Sequence, residues 1–560
     1  MRPAPFAAQR FIPALILLAA IAPAACEPGG GREGCRGEYC GTLVFVTAGE
    51  PDVLLPPVAQ TALARDVHDQ LFLKLADVGM SLNTIGDRDF EPQLAQRWEW
   101  DDSLTLVFHL DPRARWHDGP AVTAADVAFT FAAYTDPRVT SSAALRYIAS
   151  VTARDSATAV FRFRRRYPEM FFDAVFQMRV LPRHHLADVP RDQWNTAPFG
   201  KAPVGSGPYR LVEWREGQSL ELAADSTFFL GRPHIRRLIW RFTPDVPTAV
   251  TQLVGGEADA FEFLGPPPLV ERARQAPHLV TYPYLGTTYG YLGFNLRAPG
   301  DTTRPHPVFA DPDVRRAIAM ALDRERNVRS VFGDLADVPN GPVTPSMTLI
   351  WEHQPPAAAY DTAQAARLLS ARGWRDSDGD GIRDRNGQAL AFRILTNPSP
   401  LRMQFAQLIQ EQLRQLGVRV EIDQVEQNLH GERARAGQFD AVMQAWLTDP
   451  SPAASIPQTW TRAGFGAQNY GRYHSAAFEQ AVERASHGAG SVEEVRAAWR
   501  AALAILNADV PGVWLYAPHN TAAVHRRVAN VRVRADSWWA LAWTWSIPPD
   551  QQIDRDRVVR

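Results

Sequence analysis

SLTLVFHLDPRARWHDGPAVTAADVAFTF, residues 103–131, holds the pattern on which the fold turns. Its first eight residues alternate apolar and polar, the period of a strand with one buried face. After Pro120 the period changes. Val127, Phe131 and Tyr134 recur at helical spacing, Thr123 stands at the N-cap, and Asp126 follows three residues later. A strand running into a capped helix is an α/β signature.

The same alternation of signals extends in both directions. TLVFVTAGE (42–50) reads as a buried strand, and TAVFRFRRRYPEMFF (158–172) as a half-exposed strand ending in a turn at Tyr167-Pro168, its arginines alternating with Phe161 and Phe163. His184-His185 follows Pro182 with no carboxylate beside it and reads as a loop-to-helix junction. Gly205, Gly207 and Pro208 build a tight turn, and RLVEW and QSLEL form a hairpin around Glu216-Gly217. AVTQLVGGEADAFEF (249–263) is a short helix closing near Gly255-Gly256, then a strand. ADPDVRRAIAMALDRERNVRSVF (310–332) reads as one helix, capped by Asp311, with Pro312 in its first turn and Val314, Ile318, Leu322 and Val328 on one broad face. A second α/β block follows: strand AFRILT, a helix from Ser399 to Gly417, and strands VRVEIDQV and FDAVMQAW. SVEEVRAAWRAALAILN carries a capping box at Ser491 and Glu494, and GVWLYAP returns to strand before an aromatic tail from Ser537 through Trp545.

The N-terminus has a different character. Arg2 and Arg10 precede FIPALILLAAIAPAA (11–25), basic then apolar then small, which is the order of a secretory signal peptide spanning residues 1–25. The apolar run is shorter than the ~20 residues that a spanning helix needs. Ala22-Pro23-Ala24 fits an ordinary cleavage site, whereas Ala24-Ala25-Cys26 resembles a bacterial lipobox. The favoured lipobox reading makes Cys26 an acylated first residue, and the glycines of 29–31 part of a tether over 26–41. Cys35 and Cys40 then remain as a pair for a disulfide in an oxidising compartment. A net charge of -2, from 59 basic and 61 acidic residues, gives no basic footprint for nucleic acid. No G-x-S-x-G, H-E-x-x-H or Walker sequence is present.

EPQLAQRWEWDDSLTLVFHLDPRARWHDGPAVTAADVAFTF, PVGSGPYRLVEW, GEADAFE, YLGFNLRAP, DPDVRRAIAMALD and ARGWRDSDGDGIRDRNGQAL occur in this order. Together they resemble the successive signature blocks of the family 5 extracellular solute-binding proteins, the oligopeptide, dipeptide and nickel receptors of ABC importers. The resemblance implies an α/β, two-lobed, type II periplasmic-binding-protein-like fold of three domains joined at a hinge. Domain I would comprise 42–75, 200–285 and 512–560, domain II 76–199, and domain III 286–511. It further implies a monomeric receptor, periplasmic or on the extracellular face and held by a lipid anchor. Such a receptor passes peptide-like solutes to membrane-embedded importer subunits, without a cofactor and without catalysis. A metal chelate or an oligosaccharide is the alternative ligand; a secreted hydrolase or a sensing lipoprotein is the alternative activity.

In peptide-binding members of that family, an Asp three residues after a Trp holds the ligand's α-ammonium. Asp449 stands three after Trp446 in AWLTDPSP. By the same resemblance Tyr289, Tyr291, Asn295, Asn469 and Tyr470 are candidate cleft residues. RDSDGDGIRDRNG places Asp376, Asp378, Asp380 and Asp384 at the first, third, fifth and ninth positions of a calcium-loop pattern, but Gly387 occupies the twelfth position, where an EF-hand needs a bidentate Glu.

Overall fold

The computed structural model describes residues 37–139, 145–243, 245–488 and 490–557. The expected signal peptide, Cys26 and Cys35 lie outside them. Cys40 is disulfide-bonded. Among the described residues no helix is long and apolar enough to cross a membrane.

The opening stretch forms the strand Thr105–Leu110 and the helix Ala124–Tyr134. The Asp126 carboxylate accepts the Thr123 N–H at 2.8 Å and its hydroxyl at 2.7 Å, which fixes where the helix begins. That strand pairs with Ala95–Asp102 and Thr158–Phe163 in an antiparallel four-stranded sheet closed by Ile148–Ala153. Leu106 and Phe108 sink into one apolar core, shared with a seven-stranded sheet.

The seven-stranded sheet draws on distant parts of the chain. In spatial order it runs Leu279–Tyr284, Asn520–His525, Ala260–Phe261, Thr42–Thr47, Arg237–Phe242, Ser219–Ala224 and Tyr209–Arg215. Thr42–Thr47 lies parallel to both of its neighbours and is buried throughout, which explains the apolar run Leu43, Val44, Phe45 and Val46. Trp538, Trp539 and Trp545 of the aromatic tail fill the core beneath this sheet. The two sheets together make the first lobe.

A six-stranded sheet makes the second lobe: Ala336–Asp337, Gly512–Pro518, Thr288–Phe294, Ala441–Leu447, Ala391–Thr396 and Arg419–Gln424. Its last three strands are parallel, and the helix Pro400–Gln415 crosses over between the final two. Two sequence expectations change here. Gly512–Pro518, assigned to domain I from sequence, pairs with Thr288–Phe294 in this second-lobe sheet. Its uniformly apolar side chains suit an inner strand covered on both faces. The single helix expected over 310–332 is two, Pro312–Met320 and Arg324–Phe332, because the Asp323 carboxylate accepts the Arg326 N–H at 3.0 Å and starts a new helix. Val314, Ile318, Leu322 and Val328 are all buried, so the apolar pattern passes straight through the break.

The chain crosses between the lobes along two adjacent strand pairs. Leu279–Tyr284 continues through Leu285, Gly286 and Thr287 into Thr288–Phe294, and Gly512–Pro518 continues through His519 into Asn520–His525. A Cβ on Gly286 would stand 1.9 Å from the Pro518 carbonyl oxygen. The crossings therefore touch, and only glycine permits it. These two connections form a hinge.

Candidate functional site

A cavity of about 440 Å³ opens between the lobes beside the hinge. Its second-lobe wall grows out of the strand Ala441–Leu447, where Trp446 faces Tyr289 across the sheet. The Trp446 indole N–H donates to the Tyr291 hydroxyl at 3.0 Å, and Tyr470 packs against the indole with ring centroids 5.5 Å apart. The Trp460 indole N–H likewise donates to Tyr289 at 3.1 Å. Thr448 then ties the following loop to the hinge: its N–H donates to the Thr287 carbonyl at 2.8 Å. Asp449 comes next, followed by the helix Pro452–Trp460, capped by the Ser451 hydroxyl.

Asp449, Trp446 and Tyr289 line the cavity. Asp449 makes no hydrogen bond or ion pair among the described residues. Burial pushes its pKa up, opposed mainly by Arg65 across the cleft. Tyr291 and Tyr470 stand behind Trp446 and fix its orientation. Asn295 and Asn469 occupy other roles than the contact expected of them. The Asn295 amide donates to the carbonyls of Gly437 and Phe439 at 3.1 and 2.9 Å, and that of Asn469 donates to Thr461 and Tyr473 at 3.0 and 2.9 Å. Both side chains are buried and hold loop backbone in place.

The first-lobe wall was invisible to motif reading. Part of it comes from the helix Ala62–Leu71, whose inner face carries Val67 and Leu71 and whose cleft side presents Arg65, Asp66 and Asp69; Lys74, Tyr134, Phe176, Arg179 and Asp536 extend it. The Gly205-Ser206-Gly207 turn holds the end of this helix. Ser206 and Gly207 N–H groups donate to the Leu71 carbonyl at 3.0 and 2.9 Å, and a Cβ on Gly205 would meet that oxygen at 1.8 Å. His117 pins the turn, accepting the Gly205 N–H at Nδ1 and donating to the Gly207 carbonyl from Nε2. Asp69 accepts from Arg179 Nε at 3.0 Å and from the Ser537 hydroxyl. Burial opposes its charge, but Arg179, Lys74 and the Ser537 hydroxyl together outweigh that and hold its pKa below the usual range. On sequence, ALARDVHDQL has only the charge pattern of a solvated helix face.

The lobes also meet outside the cavity. Ser451 Oγ donates to Glu169 Oε2 at 2.5 Å, Arg165 pairs with Glu483 at 3.1 Å, Thr348 Oγ1 donates to the Ser81 carbonyl at 3.1 Å, and Tyr147 sets its ring against His487 with centroids 4.8 Å apart. These contacts belong to a closed arrangement.

Two polar clusters lie elsewhere. The carboxylates of Asp376, Asp378 and Asp380 converge within 4.8 Å on an exposed loop, where Asp376 accepts the N–H groups of Gly379 and Gly381. Asp384, the fourth expected calcium ligand, instead accepts the Ser377 hydroxyl and N–H. His184 and His185, which have no acidic neighbour in sequence, both place Nε2 against Asp118 Oδ2, at 2.9 and 2.7 Å.

Comparison with known proteins places this geometry among receptors. The family model described as "Bacterial extracellular solute-binding proteins, family 5 Middle" matches residues 89–468. The oligopeptide-binding protein AppA of Bacillus subtilis (strain 168) is 26% identical over 522 residues, which cover 89% of this chain and 91% of the relative. The solved structure of AppA from Bacillus subtilis with a nonapeptide superposes with a TM-score of 0.73 at 24% identity, covering 92% of this chain and all of that one, 100%. NikZ from Campylobacter jejuni, solved with Ni(L-His), gives a TM-score of 0.74 at 22% identity over 90% of this chain and 99% of its own.

Proposed function

The chain belongs to the bacterial extracellular solute-binding proteins of family 5, and from that premise we propose that it captures short peptides between its lobes and delivers them to an ABC importer. The observation that carries the peptide reading is Asp449, an unpaired carboxylate on a loop bonded to the hinge, facing the cavity beside Trp446 and Tyr289. A carboxylate in a desolvated cleft is a natural partner for an α-ammonium group, forming a charge-assisted hydrogen bond. Aromatic walls supply apolar area at small entropy cost.

Ligand held by both lobes favours the closed form by its differential affinity for that form. The importer subunits then recognise closure, and the solute leaves chemically unchanged. In this reading the 1–25 signal peptide directs export, Cys26 carries the lipid, and the 26–41 tether holds a monomeric receptor at the outer face of a membrane. The kinship with AppA and its nonapeptide complex supports a peptide ligand.

Titration calorimetry with trialanine tests the role of Asp449. Asp449→Asn leaves the ammonium without its ionic partner, so affinity falls by roughly 2–5 kcal/mol, about 30- to 5,000-fold. An unchanged dissociation constant would remove Asp449 from the site. Native mass spectrometry supplies an independent check: a co-purified carbohydrate or metal chelate would contradict the peptide ligand and leave the receptor role standing.

A further inference from the structure

The charges lining the cavity do not cancel, and the remainder describes a ligand. Four carboxylates and three cationic groups line it: Asp66, Asp69, Asp449 and Asp536 against Arg65, Lys74 and Arg179. Most are already committed. Asp69 is held by Arg179 and Ser537. Asp536 accepts from Arg534 Nε at 2.5 Å and Nη2 at 3.0 Å. Lys74 sits 3.8 Å from Asp77, both side chains nearly buried, with its ammonium over the Phe176 ring.

Asp66, Asp449 and Arg65 remain. Among the described residues none of the three has an ion pair within 4 Å, and the one hydrogen bond any of them makes from its side chain is a long contact from Arg65 to the Gln60 carbonyl at 3.5 Å. Asp66 comes from the first lobe and Asp449 from the second, so closure brings two uncompensated carboxylates to the walls of one cavity with a single free guanidinium. Behind Asp66 stands Glu262, whose Oε2 accepts the indole N–H groups of Trp538 and Trp539 at 2.9 and 3.1 Å. Burial, then Glu262, then Asp69 raise the Asp66 pKa, and together they outweigh Arg179 and Arg65. A buried charge without a partner is costly. A ligand that supplies the partners removes that cost.

We propose that the preferred solute is a short peptide bearing a basic side chain, with its α-ammonium at Asp449, its Lys or Arg side chain at Asp66 and its carboxylate at Arg65. The assignment rests on the peptide-receptor reading above and adds the side-chain class to it. A peptide with a neutral side chain satisfies Asp449 and Arg65 and leaves the partly buried Asp66 without a counter-charge. One with an acidic side chain adds a like charge next to Asp66, Asp69 and Glu262.

Calorimetry on the full chain with three dipeptides of equal length, Lys-Ala, Met-Ala and Glu-Ala, tests it. Met matches the unbranched stem of Lys without its charge. Lys-Ala is expected to bind at least tenfold more tightly than Met-Ala, and Glu-Ala more weakly than either. Asp66→Asn is expected to abolish the Lys-Ala advantage, weakening Lys-Ala and tightening Met-Ala, which no longer closes over an unpaired charge. Equal affinities for Lys-Ala and Met-Ala in the wild type would overturn the assignment and leave the peptide receptor intact, as would an Asp66→Asn variant that weakens both alike. Failure of all three dipeptides and of trialanine to bind would overturn the peptide reading and this assignment with it.

Discussion

Glu169 is expected to make the contact between the lobes sensitive to pH. It is 5% exposed and accepts the Ser451 hydroxyl from the opposite lobe. Burial pushes its pKa from an ordinary 4.5 up to about 7, and Asp449 adds to the shift. Asp173, one helical turn on and bonded to the Tyr167 hydroxyl, is driven by burial and then by Glu169 to about 8. A carboxyl whose pKa is raised in the closed form supports closure below its ordinary value, and that support is lost as pH rises through the raised one. The Glu169 contribution to trialanine affinity, read as the ratio of wild type to Glu169→Gln, is therefore expected to fall by on the order of tenfold between about pH 4.5 and 7, while ionisation of Asp449 acts in the opposite direction in both proteins. Glu169→Gln keeps an acceptor for Ser451 and removes that titration, with Asp173 leaving a remnant toward pH 8. An identical pH profile in the variant would refute this role. Such a pairing is silent in the sequence, since Glu169 and Ser451 are 282 positions apart and nothing in AWLTDPSP, where Ser451 lies, names its partner. Asp449 was readable only because a neighbouring Trp446 marks its place. Arg65 and Asp66 were not, because on an amphipathic helix a charge facing a cleft and one facing solvent share the same spacing.

Elements whose signals are local were legible; those decided by distant partners were not. The Thr123 and Ser491 helix starts, the hairpin at Gly217 and the strand Thr42–Thr47 all follow from side chains within a few residues of one another. The break at Asp323 was missed since burial on both sides preserves the apolar period, and the lobe of Gly512–Pro518 was missed since a doubly covered strand gives no clue to its neighbours. The hinge shows the same division: its glycine is visible, but not the carbonyl it must accommodate. Gly286→Ala forces the two crossings apart, since the new methyl would overlap the Pro518 carbonyl oxygen at 1.9 Å. A loss of about 1–3 kcal/mol in stability is expected from such overpacking, read by urea denaturation, together with weaker trialanine binding. Wild-type values for both would mean that the crossings are not in contact.

At the scale of the molecule, the first lobe is closed by ends of the chain that meet at Arg527. This side chain, 2% exposed, donates to Asp259 at 2.8 Å, Asp556 at 2.6 Å and the Thr42 carbonyl at 2.8 Å, and Asp556 also accepts the Thr42 N–H. It joins the first strand, the middle of the seven-stranded sheet and the C-terminal segment. Arg527→Met strands two buried carboxylates and should lower stability by about 3–5 kcal/mol, with Arg555 beside Asp259 holding the loss toward the lower figure. A stability change under 1 kcal/mol in urea melts would show that the network contributes little.

With the first lobe so braced, and the second built on its own sheet, relative motion of the lobes is expected to pivot on the two crossings at Gly286 and His519. Solute is expected to draw the lobes together about these crossings. Small-angle scattering of the full chain, alone and with saturating Lys-Ala, measures this directly. The radius of gyration is expected to fall on addition of the dipeptide, and in the Asp449→Asn variant to stay at its ligand-free value at the same concentration. Calorimetrically confirmed binding with no change in the radius of gyration would contradict the account.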